Sequence, residues 1–175
     1  AVPVSITSRV EEIAQSYGNE VIRTKVSRSD LMRTSLDGEV IFAGAGSGGF
    51  IFPSFLPIYD AMASTAILMD SLSQAGGRLS GLVDELPPVH LLSEEIPASW
   101  EQKGLIMRRL VEETNEGRLE LIDGVKVFLD ERTWILVLPD PDVPSMHLIC
   151  ESDDDTRAAL VIGEFTKKIM DIVGG

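Results

Sequence analysis

Along the first half of the chain, apolar positions switch repeatedly between the two-residue period of a strand and the 3.6-residue period of a helix. VPVSIT is a short β-rich run, and SRVEEIAQSYG follows it at once. Ser8 with Glu11 predicts a capping box, Val10, Ile13, Ala14 and Tyr17 share one face, and Gly18 supplies the stop. EVIRTKV predicts a second strand, SRSDLMRTSLDG a short helix closed by Gly38, and EVIFAG a third strand. Strand, helix, strand, helix, strand implies a parallel α/β sheet. GFIFP reads as a further strand. Ile58, Met62, Thr65, Met69 and Leu72 then give helical spacing up to Gly76 and Gly77. LSGLVDELPPV adds a last helical turn or two, broken by Pro87 and Pro88. That di-proline is the expected boundary between a domain over 1–87 and another over 88–175.

The second half has a different rhythm. VHLLSEEI predicts a strand, and SWEQKGLIMRRLVEETNEG a helix with a Ser99/Gln102 capping box and Gly117 at its end. GVKVFLD, TWILVL and MHLICES predict three strands, with turns at Asp123–Gly124 and over 130–133. The final helix, from about Asp154 to Val173, presents Val161, Phe165, Ile169 and Ile172 on one side. The expected architecture is a three-layer α/β domain with a parallel or mixed sheet, followed by a small α+β domain with helices on one face of an antiparallel-rich sheet.

Composition narrows the function classes. A net charge of −13 over 175 residues, with no basic stripe, argues against nucleic acid and anionic membrane as partners. One cysteine, Cys150, permits no intrachain disulfide and fits a reducing cytoplasm. Cys150 reads as a small hydrophobe sharing a strand face with Met146 and Leu148. His90 and His147 have no second ligand near them in sequence, which argues against a zinc site. Asp153, Asp154 and Asp155 begin a helix, where carboxylates favour the dipole, and read as a charged cap. Trp100 and Trp134 read as core or helix-start anchors. AVPVSITSRVEE lacks the charge and apolar pattern of a signal peptide, and the longest apolar stretch is too short to span a bilayer.

EVIFAGAGSGGFIFP contains G-x-G-x-x-G at Gly44, Gly46 and Gly49. A dinucleotide fingerprint needs a helix opening directly after the glycines, with its N-terminus on the pyrophosphate. Aromatic and β-branched residues follow here, closed by Pro53, so the dinucleotide reading fails on context. A hairpin connection or a loop that approaches a ligand both remain open.

The run from Gly44 through the LSGLVDELP segment resembles the third domain of the phosphohexomutases, the phosphomannomutase/phosphoglucomutase family. Their sugar-recognition loop reads G-E-x-S-G-H or G-E-x-S-G-G and precedes an aspartate-led helix. Gly44, Ser47, Gly48 and Gly49 match the loop, and Asp60 opens the helix. ITSRVEEIAQSYGNEVIRTKV is similar to the family's upstream unit, and DGVKVFLDERTWILVLPDPDVPSMHLICES to its fourth-domain pattern. The resemblance implies substrate contacts at Gly44, Ser47, Gly48, Thr24 and Arg28; Arg28 and Arg33 read either as positive charge beside the site or as a solvated helix face. It implies no catalytic residue, metal ligand or cofactor in this fragment. The phosphoserine belongs to the family's first domain and magnesium to its second, through a D-x-D-x-D-R loop.

Departures from the family pattern weaken the implied binding. Ala45 stands at the glutamate that accepts sugar hydroxyls, and Ser27 replaces a glycine. In LPDPDVPSMH, Leu138 replaces the phosphate-binding arginine, Asp140 the serine, Pro141 the glycine, Asp142 the threonine, Val143 the glutamate, and His147 a second arginine. Carboxylates repel a phosphate dianion, by about 4 kcal/mol per unit charge product at ~4 Å and an effective dielectric near ~20. The resemblance thus implies a C-terminal, degenerate mutase-like module, inactive in isolation, of the kind found at the end of mannose-1-phosphate guanylyltransferase-like proteins. The alternative is the C-terminal part of an active, divergent mutase. Expected partners are a hexose phosphate or nucleotide sugar held weakly or not at all, the rest of the parent polypeptide, and a second copy in a homo-oligomer.

Overall fold

The computed structural model describes residues 1–86, 88–114 and 118–174. The expected boundary residue Pro87 and helix stop Gly117 lie outside the described residues. The chain forms two compact units, Ala1–Pro88 and Val89–Gly175.

In the first unit, β1 (Val2–Pro3) pairs in parallel with β2 (Arg23–Thr24), Val2 opposite Arg23. The Ala1 nitrogen donates to Phe42 O at 2.7 Å, and Gly44 N–H donates to Ala1 O at 3.1 Å. These two bonds hold β3 (Ala43–Ala45) alongside the chain start in the manner of a parallel neighbour. β3 in turn pairs antiparallel with β4 (Gly49–Ile51). The sheet is therefore mixed rather than wholly parallel. The physical reason is the length of the connection: the three residues between β3 and β4 can turn a hairpin but cannot carry a crossover. Leu31, Val40, Ala43 and Ile51 form one buried cluster, with Ala45 and Tyr59 packed against it.

Helices α1 (Arg9–Ser16) and α2 (Arg28–Thr34) lie within the predicted segments, α2 ending at Thr34, short of the expected stop at Gly38. Ser27 caps α2 by accepting from Asp30 N–H at 3.1 Å. The Ser8/Glu11 capping box does not form. Ser8 already has helical backbone angles, and Glu11 is drawn instead to Arg23, with two contacts of 2.7 Å. That guanidinium also donates to the carbonyls of Pro3, Ile6 and Thr7, fastening the entry of α1 to β2. A charge-assisted bidentate pair outcompetes a helix-end hydrogen bond.

α3 (Ala61–Ala75) is capped by Asp60, which accepts from Ala63 N–H at 2.9 Å, and ends at Gly76 in the left-handed conformation. α4 (Leu79–Asp84) follows. The predicted apolar stripe on α3 has helical spacing but is not buried: Met62 is 83% and Met69 62% exposed. Periodicity specified the helix and not what covers it.

The second unit is a five-stranded antiparallel sheet in the order β5-β9-β8-β7-β6. Its strands are β5 (His90–Pro97), β6 (Arg118–Glu120), β7 (Val125–Phe128), β8 (Trp134–Pro139) and β9 (Ser145–Ser152). β6 was not legible, because three residues with one apolar side chain carry no period. α5 (Trp100–Glu113) has the predicted Ser99/Gln102 capping box, formed in both directions. α6 (Asp155–Gly174) places Val161 and Ile169 in the core, with Phe165 and Ile172 packed against it.

Both helices share one cluster with Val125, Val127, Ile135, Val137, Met146, Leu148 and Cys150. Cys150 packs as expected, and burial pushes its thiol up to about 11, with the Glu151 charge adding to the effect. Trp134 is buried; its indole N–H donates to Glu151 at 2.7 Å, and the Lys126 ammonium lies 3.8 Å from its ring centre. Trp100 starts α5 but is half exposed. Among the described residues, no helix is long and apolar enough to cross a membrane.

Candidate functional site

The glycine loop is the hairpin between β3 and β4. Gly48 takes φ +87° and donates its N–H to Ala45 O at 3.0 Å, closing the turn. Ala45 and Gly49 face each other across the ladder. The space their small side chains leave is filled by Tyr59: a Cβ on Gly49 would stand 2.5 Å from the Tyr59 ring. Beside the turn lies an open pocket of about 460 Å³, lined by Arg28, Ser47, Gly48, Gly49, Tyr59 and Asp60 among others. Ser64 and Thr65 also line it, but their hydroxyls donate back to the carbonyls of Asp60 and Ala61. Burial raises the Tyr59 pKa, opposed in part by the Arg28 charge. The phenol is therefore protonated at neutral pH.

The predicted contact residues divide. Ser47, Gly48 and Arg28 meet at this pocket. Gly44 lies within the hairpin beneath the ring of Phe50, which would be 3.1 Å from any Cβ there. Phe50 itself stacks on Phe42, centroids 5.9 Å apart. Thr24 is buried, and its hydroxyl donates to Lys25 O. Neither Gly44 nor Thr24 lines the pocket. Arg33 pairs with Asp30 on the exposed side of α2. Tyr59 was missed, although an aromatic residue directly before a helix-capping aspartate is a recognisable signal.

The second feature is the β8–β9 loop, which carries the largest departures from the family pattern. Asp140 closes it upon itself. One carboxylate oxygen accepts from the N–H groups of Asp142 at 2.8 Å and Val143 at 2.9 Å. The other lies 2.7 Å from His147 Nε2. From beneath, the Lys103 ammonium donates to Asp140 O at 2.6 Å and Val143 O at 2.5 Å, and sits 3.7 Å from the Trp100 ring centre. The loop's backbone donors therefore already hold a carboxylate. Lys103 escaped the sequence reading. Its signal was a lysine in the inward register of α5, at helical spacing from the buried Ile106 and Leu110.

These contacts, His147 first and then the two N–H groups, hold the Asp140 carboxyl down from 3.8 to about 2. A carboxyl with a depressed folded-state pKa contributes stability that is complete above its unfolded value and lost as pH falls through the folded one. A carbon-detected NMR titration of Asp140 should show a midpoint near 2. A midpoint near 3.8 would mean that the carboxylate is not engaged.

Among the described residues, no three histidine, cysteine or acidic side chains converge to hold a metal. Asp153 lies near Arg132 and Arg157, Asp154 accepts from Arg157 N–H, and Asp155 meets His90.

Comparison with known proteins gives a consistent picture. The chain is 30% identical over 147 residues to a probable phosphoglucosamine mutase of Methanothermobacter thermautotrophicus, covering 81% of this chain and 32% of that protein. It is 29% identical over 167 residues to the probable phosphoglucosamine mutase of Methanopyrus kandleri, covering 94% of this chain and 37% of that one. It therefore spans about a third of the length of these curated relatives. A phosphoglucomutase/phosphomannomutase family protein from Burkholderia thailandensis shares the fold, with a TM-score of 0.84 at 19% identity over 99% of this chain and 37% of that one. Residues 1–90 match the model of the phosphoglucomutase/phosphomannomutase α/β/α domain III, and the chain belongs to that family.

Proposed function

We propose that this chain is a phosphohexomutase-family module that keeps a sugar-sized pocket in its first unit and has lost the phosphate grip of its second. The observation that carries this reading is the Asp140 carboxylate on the N–H groups of Asp142 and Val143, with His147 on its other oxygen. A phosphate would have to displace an anion held by three partners, and the Asp142 charge would still oppose it. Such a module serves a structural or regulatory role in a parent protein of nucleotide-sugar synthesis, such as a mannose-1-phosphate guanylyltransferase, in the cytoplasm. A second reading makes it the C-terminal part of an active mutase moving phosphate between C1 and C6 of a hexose. The names of its relatives favour that alternative, since the two described above are probable phosphoglucosamine mutases.

Under both readings the isolated chain does not turn over substrate. A coupled assay with glucose 1-phosphate or mannose 1-phosphate should give no product above the background rate. Turnover by this chain would contradict the proposal. The two readings separate in the parent protein, where mutase turnover favours the second and its absence beside nucleotidyltransferase activity favours the first.

A further inference from the structure

The hairpin pocket lacks the acceptor that position 45 would supply: the Ala45 methyl packs against the core cluster with Tyr59. Two other residues can take over its work, and neither was among the predicted contacts. Asp60 uses one carboxylate oxygen, Oδ1, to cap α3, and its Oδ2 takes no hydrogen bond among the described residues. Asp60 lines the pocket, so that oxygen is an acceptor for a ligand hydroxyl. Tyr59 stands in the space vacated by the small pair Ala45 and Gly49, and gives the pocket a ring wall and a phenolic donor. Arg28 lines the same pocket and makes no ion pair among the described residues, leaving its guanidinium available to an anionic substituent. The pocket volume of about 460 Å³ suits one hexose ring with such a substituent.

We propose that Tyr59 and Asp60 are the specificity-determining contacts of this pocket: Asp60 Oδ2 accepts a hydroxyl of a hexose monophosphate, Tyr59 walls its ring, and Arg28 faces its phosphate. This inference rests on reading the hairpin pocket as the sugar site. It is independent of the closed β8–β9 loop.

The test is a titration of the ¹⁵N-labelled chain with glucose 1-phosphate, glucose and inorganic phosphate, read at the amides of Ser47, Gly48 and Gly49. Glucose 1-phosphate should produce saturable shifts there and bind more tightly than either comparator. Asp60→Asn keeps a residue that caps helices well but replaces the free acceptor with a donor, and should weaken binding about tenfold. Tyr59→Leu should weaken it to a similar degree. Absence of saturable shifts with glucose 1-phosphate would overturn the proposal. So would unchanged affinity in Asp60→Asn, or inorganic phosphate binding as tightly as the sugar phosphate, which would reduce the site to Arg28 alone. Shifts confined to Asp142 and Val143 would likewise overturn it, and would also sink the closed-loop reading. Shifts at the hairpin alone leave that reading intact.

Discussion

Gly124→Ala is expected to destabilise the second unit by about 3 kcal/mol or more, combining left-handed backbone strain with steric overlap. Gly124 has φ +77°, and a Cβ there would stand 2.4 Å from Val137 O and 3.2 Å from Leu138 Cα. The obstacle is the backbone of β8, itself held on both sides by β7 and β9, so no side-chain rotation relieves it. Gly18→Ala provides the control. It has nearly the same φ, +72°, with nothing within 4 Å, and should cost only the backbone term, about 1 kcal/mol. Urea unfolding of both variants checks the difference. Equal losses would mean that the β7–β8 contact is looser than described.

Lys103→Met should cost about 2–3 kcal/mol and loosen the loop over 140–144. Lys103 is only 6% exposed, yet its ammonium carries two carbonyls of that loop. Methionine keeps an apolar stem against Trp100 but leaves both carbonyls without their donor. Because the loop is part-buried rather than sealed, water recovers some of the loss, which sets the upper end of the figure. Hydrogen exchange at the Asp142 and Val143 amides, alongside chemical unfolding, reads both effects. A methionine variant with wild-type stability and exchange would show that the ammonium is not what holds the loop down.

What could be read from the chain before its structure follows the range of each interaction. The Ser99/Gln102 capping box, the Asp60 start of α3, and the inward stripe of α6 were legible because their information lies within one or two helical turns. The strands β7, β8 and β9 were legible from apolar, β-branched runs bounded by turn residues. The failures are choices between distant partners. Glu11 abandons Ser8 for Arg23, twelve residues away. The stripe of α3 stays largely exposed among the described residues. Lys103 reaches carbonyls 37 and 40 residues further on, which no local pattern announces.

The loop over 140–144 is the instructive case. Asp140 reads in sequence as a charge that repels phosphate. In the structure it also occupies the N–H donors of Asp142 and Val143, so the same carboxylate closes the loop on itself. At the hairpin, Ser47, Gly48 and Arg28, singled out through resemblance, line one pocket. Tyr59 stands beside them because the small pair Ala45 and Gly49 leaves room for a ring.

The most direct test of the closed loop is an amide-resolved titration with inorganic phosphate near neutral pH, in the wild-type chain and in Asp140→Ala. The wild-type amides of Asp142 and Val143 should not shift into the millimolar range. The variant, with both N–H groups released and one carboxylate removed, should respond at those two positions. Saturable shifts at Asp142 and Val143 in the wild-type chain would contradict the account.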